Sequence, residues 1–470
     1  MPVETVKAAA RGAGLDVLSW TRLYRRQVGM PLRDSIRSAI APAYIRGRLL
    51  QERLEAGVSW YPLDPAFIAN PYPKYRRLRE RDPYHRSRLT GMLVVSRYED
   101  VDAILRDHRQ FLNGERDWNS ENLVNSSIRR ELTPSILSLD PPDHTRLRGL
   151  VNRAFTPREM AKMEDQVRET AHALLDEVGD DNEFDLMSNL ATLLPMVVIA
   201  EMIGVPTDDR ERFKTWSDRF ARVLEPNLTE EEGRLVLETA DEFERYFAPI
   251  IEERRREPTE DLVSRLALAE EEGQKLTTEE TQVTLRLLLV AGNETTTNLI
   301  GNGLRALLQH PEQLQLLREQ PELSPTAIEE LLRYDPPVQL DGRYVAEDVE
   351  IGGKAVERGS RLALLIGGAN RDPEQFSDPE TLDVTRDEGV NISFGRGIHH
   401  CLGAPLARLE GRIAFEVLLE RFDDIRFGAR EPVYKPNIVL RGLREFDIRV
   451  RHRAGRSFAG AEADPTAAAG

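Results

Sequence analysis

The chain has 470 residues, 31% of them charged, a formal net charge of −16 and a single cysteine, Cys401. The acidic balance disfavours a nucleic-acid partner, because a duplex binder needs a basic footprint over the phosphates. One cysteine excludes an intrachain disulfide, a four-thiolate cluster and a multi-cysteine zinc site. No run of about 18 apolar residues is available to span a membrane, and the N-terminus lacks an apolar core followed by a small-residue cleavage site. A cytoplasmic protein is expected.

Residues 1–57 differ from the rest in charge: ten Lys or Arg stand against four Asp or Glu over residues 1–53, a net of +6 that leaves −22 for the remainder. Trp20, Leu23, Tyr24, Val28, Leu32, Ile36 and Ile40 recur at roughly helical spacing with a basic opposite face. The segment reads as an amphipathic extension lying on the body of the protein, with peripheral membrane contact as the alternative. From Tyr61 the pattern changes. Tyr75 to Pro83 reads as a short helix stopped by proline, Met92–Ser96 as a β-like run and Tyr98–Leu105 as a helix. Phe111–Thr133 has no clear period and is expected to be a long surface loop, a candidate access wall.

Asp140-Pro-Pro-Asp143 is expected to cap a helix on which His144 and Arg148, four apart, share one face. Taken alone they read as a solvated basic face. Met160 to Gln274 is mainly helical, with core positions such as Leu174, Leu175, Leu186, Leu190 and Leu194. Around Phe220–Leu237, interrupted by Pro226, the periodicity breaks between two helices, and this stretch is expected to be a mobile lid.

Thr281–Leu308 reads as a long helix containing Ala291-Gly-Asn-Glu-Thr-Thr-Thr297. Gly292 and three threonines are poor choices inside a buried helix, costing up to about 1 kcal/mol each relative to alanine. A local rule broken in this way is expected at a functional site. Ala327–Tyr334 is helical and carries Glu330 and Arg333 three apart, a spacing that on a surface contributes only tenths of a kcal/mol. Short β-like runs follow, separated by Gly352-Gly353 and Gly359. The Ala- and Gly-rich tail, residues 453–470, is expected to be disordered.

Near the end stands Phe394-Gly-Arg-Gly-Ile-His-His-Cys401-Leu-Gly403. Three roles are open to Cys401: inert core thiol, nucleophile, or lone thiolate ligand to a metal. Leu402, Leu406, Leu409 and Ile413 form one helical stripe, and Pro405 suits a first turn. The cysteine therefore lies at a helix N-terminus, where unpaired amides and the helix dipole favour a thiolate. Gly395, Gly397 and Gly403 let a flat ligand approach closely.

As it stands, the stretch resembles the haem-binding loop of the cytochrome P-450 family, Phe-x-x-Gly-x-x-x-Cys-x-Gly. Three further segments resemble that family's motifs in the right order: Asp140 to Arg148, Ala291 to Thr297, and Glu330 with Arg333. The resemblance implies a mainly α fold with a minor β part, one catalytic domain over residues 58–452, and haem b between the long helix and the cysteine loop. Cys401 is then the axial ligand, a thiolate that favours O–O cleavage. His144, Arg148, Arg343 and His399 are then propionate donors, Glu330–Arg333 a structural pair with Arg386 as a third member, and Thr295 and Glu294 the oxygen-activation and proton-delivery pair, on a stretch of the long helix that the resemblance implies is loosened to admit oxygen.

The implied activity is monooxygenation, hydroxylation or epoxidation, of a small apolar organic substrate, bounded by Leu288, Ala291, Val338, Leu340 and Ile438. No Gly-rich phosphate loop or flavin-binding domain is visible. Electrons are therefore expected from a separate ferredoxin and its reductase, with Arg396, Arg408 and Arg412 as a docking patch. A peroxide-driven peroxygenase and a non-catalytic haem sensor are the alternatives.

Overall fold

The computed structural model describes residues 32–114, 128, 131–154, 160, 162–206, 209–225, 228–271 and 273–453. The tail beyond 453, the first 31 residues, Pro226 and most of the expected access loop, including Trp118, Asn122 and Asn125, lie outside the described residues. The helices that position the site are α1 (Leu32–Ala56), α2 (Tyr72–Arg81), α3 (Tyr98–Arg106), α4 (Asp143–Ala154), α5 (Glu164–Asp176), α6 (Leu193–Ile203), α7 (Arg210–Ala221), α8 (Glu230–Arg256), α9 (Thr278–Gln309), α10 (Ser324–Tyr334) and α11 (Ala404–Arg421). The strands are β1 (Tyr84–Arg86), β2 (Leu93–Val95), β3 (Phe111–Leu112), β4 (Glu183–Asp185), β5 (Asp341–Val345), β6 (Arg361–Leu364), β7 (Phe422–Phe427) and β8 (Asp447–His452).

Helix α9 is the axis of the fold. A capping box starts it: the Thr277 side chain accepts the Glu280 N–H, and the Glu280 carboxylate accepts the Thr277 N–H. Its 32 residues pack against α6, α7, α8, α10 and α11. Two glycines let α11 approach it closely. A Cβ on Gly303 would lie 2.7 Å from Phe415 Cζ, and one on Gly411 would lie 2.9 Å from Leu299. Cys401, three residues before α11, is thereby carried to the flank of α9.

A five-stranded sheet of order β1-β2-β6-β5-β3, parallel only at β2–β6, forms the minor β part. Val94, Ala363 and Leu365 bury one face under Trp60, Tyr72 and Tyr75, while Leu93, Val95, Leu362 and Leu364 bury the other against α3. A second sheet, β7-β8-β4, closes the C-terminal end. Strand β4 lies inside the region read as helical, because three residues are too short to show an alternating period.

Three expectations change. Asp140 does not cap α4 with its side chain; its carboxylate accepts the N–H groups of Asn113 (3.0 Å) and Gly114 (2.9 Å) and so anchors the start of the access loop. The expected lid is held down in its described part. Phe220, Leu228 and Val236 belong to the main core, and the buried Glu225 carboxylate accepts the N–H groups of Ile438, Val439 and Leu440. Helix α9 also runs unbroken through residues 291–297, where the resemblance implies a loosened turn.

The extension meets the body at Glu52. This carboxylate, buried at the end of α1, accepts the N–H groups of Trp60 and Arg88 and contacts His85 Nε2 at 3.3 Å, while Asp82 lies 3.0 Å from His85 Nδ1. The boundary expected at residue 57 therefore falls inside a packed contact.

Glu330 and Arg333 form a buried bidentate pair, 2.6 and 2.8 Å, not a surface one. Arg333 also donates to the carbonyls of Asn370, Pro379 and Thr381, Glu330 accepts the Asp383 N–H, and Arg386 Nε lies 3.2 Å from Glu330. This cluster ties α10 to the segment leading into the cysteine loop. Removing one partner strands a buried charge, at a cost of roughly 3–5 kcal/mol. Arg333→Ala should therefore lose most of the protein's stability in a denaturant titration, whereas a loss below about 1 kcal/mol would mean the pair is solvated as a surface pair is.

Candidate functional site

The cysteine loop is shaped by its glycines. Gly395 and Gly397 adopt φ +68° and +66°, in the left-handed region open chiefly to glycine. A Cβ on Gly397 would also lie 2.7 Å from the Leu105 carbonyl oxygen, so the loop crosses the end of α3 in direct backbone contact. The Cys401 N–H donates to the Phe394 carbonyl at 2.9 Å, and Arg408 stacks on the Phe394 ring at 4.4 Å. Cys401 keeps part of its surface open, yet its sulfur is enclosed on the protein side. Burial pushes the thiol up, while the Gly403 and Ala404 N–H groups and the Arg148 and Arg408 guanidiniums act to lower it.

Beside it four bases converge. The His144 and His399 rings lie 4.2 Å apart. Both nitrogens of His144 and Nε2 of His399 are buried without a hydrogen-bond partner. Arg148 donates to the His400 carbonyl at 2.7 Å and to Asn152 at 3.0 Å, and the buried Arg343 contacts Asp341 at 2.8 Å. Burial, then the neighbouring His144, Arg343 and Arg148, depress His399 to about 3, and burial with Arg148 depresses His144. Both shifts favour the neutral imidazole, in which one ring nitrogen carries an N–H.

Helix α9 opens one stripe of its surface. Ala291 is exposed and Leu287, Gly292 and Thr295 half-exposed along a helix otherwise largely buried, so residues at i, i+4 and i+8 open one stripe. The Thr295 hydroxyl donates to the Ala291 carbonyl at 2.6 Å, leaving its own lone pairs as acceptors. Glu294 does not reach solvent directly; it is buried and accepts from Lys435 Nζ at 2.7 Å.

Two residues were not found from the sequence. Lys435 is 141 positions from Glu294, and nothing local signals the pairing. Glu410 was visible in principle, an acid among the apolar positions Leu406, Leu409 and Ile413. It is fully buried with Oε2 unpartnered, and burial pushes its carboxyl up to about 8 against a hydrogen bond from Thr296.

Of the expected substrate-bounding residues, Ala291, Val338 and Leu340 are at least partly exposed and Leu288 and Ile438 are buried. Val338 pairs with Leu440 across an isolated antiparallel bridge, so the two arms of this wall are joined. The expected basic docking patch is internally neutralised. Arg396 pairs with Asp102, Arg408 with Glu329, and Arg412 with Glu164 and Glu416.

A family model described as Cytochrome P450 matches residues 84–442. The chain belongs to the cytochrome P450 family. It is 40% identical over 401 residues to the polyketide biosynthesis cytochrome P450 PksS of Bacillus subtilis, covering 83% of this chain and 98% of that protein. A solved structure of that P450 superposes with a TM-score of 0.76 at 41% identity, covering 83% of this chain and 99% of the other. The vitamin D(3) 25-hydroxylase of Pseudonocardia autotrophica is 38% identical, over 83% of this chain and 96% of that protein.

As a P450, the chain is a haem-thiolate monooxygenase whose cofactor is haem b, and its fold is the mainly α fold that the resemblance implies. The residues present fit that group. A lone cysteine stands at a helix N-terminus, the glycine loop keeps the backbone low beside it, and buried ring nitrogens of His144 and His399, without a partner among the described residues, suit a carboxylate as acceptor.

Proposed function

We propose that Cys401 would ligate the haem iron through its thiolate, that His144, Arg148, Arg343 and His399 would hold the propionates, and that Thr295 and Glu294 manage protons from the long helix α9. The observation that supports this reading best is the convergence of four basic side chains beside one cysteine, with buried imidazole nitrogens that no group among the described residues satisfies. Two carboxylates would accept from them through charge-assisted hydrogen bonds, stronger than neutral ones.

When bound, haem supplies the reductive activation of O2, and a thiolate ligand favours O–O cleavage. The chain's own part is to exclude water and deliver protons. Leu288, Val338, Leu340 and Ile438 make an apolar wall that bounds a largely apolar organic substrate. Since PksS is named for polyketide biosynthesis and another relative for vitamin D(3) hydroxylation, we infer a scaffold of polyketide or sterol size. Thr295 holds an ordered water at its hydroxyl oxygen, and Glu294 supplies that water with protons. Residues 58–452 form the catalytic unit, residues 1–57 a peripheral element, and the protein works in the cytoplasm. Electrons come from a separate ferredoxin and its reductase, because the chain carries no phosphate-cradling glycine loop. Retention of Glu294 and Thr295 favours this over a peroxide-driven reaction, in which peroxide already brings the protons and electrons.

Arg148→Ala and Arg343→Ala should each lower the haem content of purified protein, measured as the ratio of Soret to protein absorbance. Full occupancy in both would remove them from the cofactor site. Thr295→Ala should still bind haem and substrate and consume NADPH through surrogate partners, but release much of its oxygen as hydrogen peroxide. Product formed per NADPH should fall several-fold, and an unchanged ratio would rule the threonine out.

A further inference from the structure

We propose that the outer face of α1, together with Lys74 and Arg77 of α2, is a docking surface for an anionic phospholipid bilayer. The proposal goes beyond the reading of residues 1–57 as a peripheral element and does not depend on the roles given to the cysteine loop.

Over residues 43–56, α1 is inverted in polarity. Ala43, Arg46, Gly47, Leu50, Arg53 and Leu54 are all exposed, and with 3.6 residues per turn they fall within about 120° of the helix circumference. The opposite side carries Glu52, which is buried and bonded to the body at Trp60, Arg88 and His85. A helix packed on a globular body ordinarily turns its apolar stripe inward and its charges outward. Here the carboxylate faces in and the leucines face out. Leu54, at 79% exposure, is the most open large apolar side chain among the described residues, and Leu50, one turn earlier, keeps 58%. A Cβ added to Gly47 would meet nothing within 4 Å, so no other described element covers the face at that point. In the sequence the same spacing runs back to Ile36 and Leu32.

The charges around the leucines are unmatched. Arg76 pairs with Glu380, Arg88 with Glu55 and Lys354 with Asp82, but Arg46, Arg53, Lys74 and Arg77 have no ion pair among the described residues. Lys74 shows that three of these cations gather at one place: burial, then Arg53 of α1 and Arg77 of α2, push its ammonium down, against Asp64 and Glu52. Residues 1–53 carry a net +6 and the remainder −22, so a negative surface would draw the chain in with this end first. Leucines ringed by arginines suit the boundary of a bilayer, where Leu50 and Leu54 enter the acyl region and the guanidiniums stay at the phosphates. A nucleic acid would take the cations and leave the leucines in water.

The test uses the haem-loaded full chain and vesicles of phosphatidylcholine, with or without phosphatidylglycerol. The protein should sediment with the phosphatidylglycerol vesicles, stay in solution with phosphatidylcholine alone, and be released by added salt. Leu50→Glu combined with Leu54→Glu should weaken binding by about tenfold, and Arg53→Glu combined with Arg77→Glu should do the same. All four positions are exposed, so the ratio of Soret to protein absorbance should not change. In Leu54→Trp, added phosphatidylglycerol vesicles should shift the fluorescence to the blue relative to wild type, which reports insertion directly. A wild type that stays in solution, equal binding to both lipids, or undiminished binding in both double variants would each overturn the proposal. Should vesicle binding be absent while the same variants weaken binding of a surrogate ferredoxin, the face belongs to an acidic protein and the lipid is overturned. Should a double variant lose haem, Leu54→Trp decides, and an unshifted spectrum overturns insertion.

Discussion

Gathering two arginines and two histidines around one cysteine, with Arg343 and His144 buried and Arg148 and His399 half-buried, is an arrangement that a protein does not build for its own stability. A buried base needs an acid or an ordered acceptor, and an unsatisfied polar group costs about 1–3 kcal/mol. Here Arg148 turns to a backbone carbonyl and Arg343 to Asp341, while both nitrogens of His144 and Nε2 of His399 meet no partner among the described residues. The rest of the fold keeps that deficit in place. Gly303 and Gly411 let α11 press against α9, Gly397 lets the loop cross α3, and the Glu330–Arg333–Arg386 cluster braces the approach to the cysteine. Under the proposed function, Cys401 would hold the iron of haem b and the four bases would take its two carboxylates as partners.

Much of this was legible in the sequence because it is local. The cysteine loop carries its ligand, its glycines and its helix start within ten residues, and α9 announces itself through apolar periodicity interrupted by a glycine and three threonines. Glu330 and Arg333 were visible as a pair, but their spacing fits a solvated face equally well. Only packing distinguishes the buried cluster from that reading. What periodicity could not reach were pairings across long separations: Glu294 with Lys435, Glu225 with the amides of residues 438–440, and β4 with β8. The expected lid failed for the same reason, since a break in period marks a helix end and says nothing about what holds it. The three arginines near the cysteine look like a positive patch in sequence and lose that character once their partners on other elements are seen.

Three buried carboxylates define the electrostatics behind the site, and they differ by partner. Glu225 is clamped by three backbone amides and acts as a bracket between the α7 end and the substrate wall. Glu410 has too little around it to stay charged and is held neutral by burial. Glu294 is paired with Lys435, a partly exposed counter-ion. Of the three, it is the acid to which the proposed function gives a part in proton delivery.

The central claim is that the iron is carried by a thiolate from Cys401, and the absorption spectrum of the reduced protein under carbon monoxide tests it most directly. The wild type should show the red-shifted Soret band of thiolate-ligated haem, and Cys401→Ala should lose it. A thiolate-type band surviving in Cys401→Ala, or a histidine-type band in the wild type, would contradict the account and move the ligand to another residue.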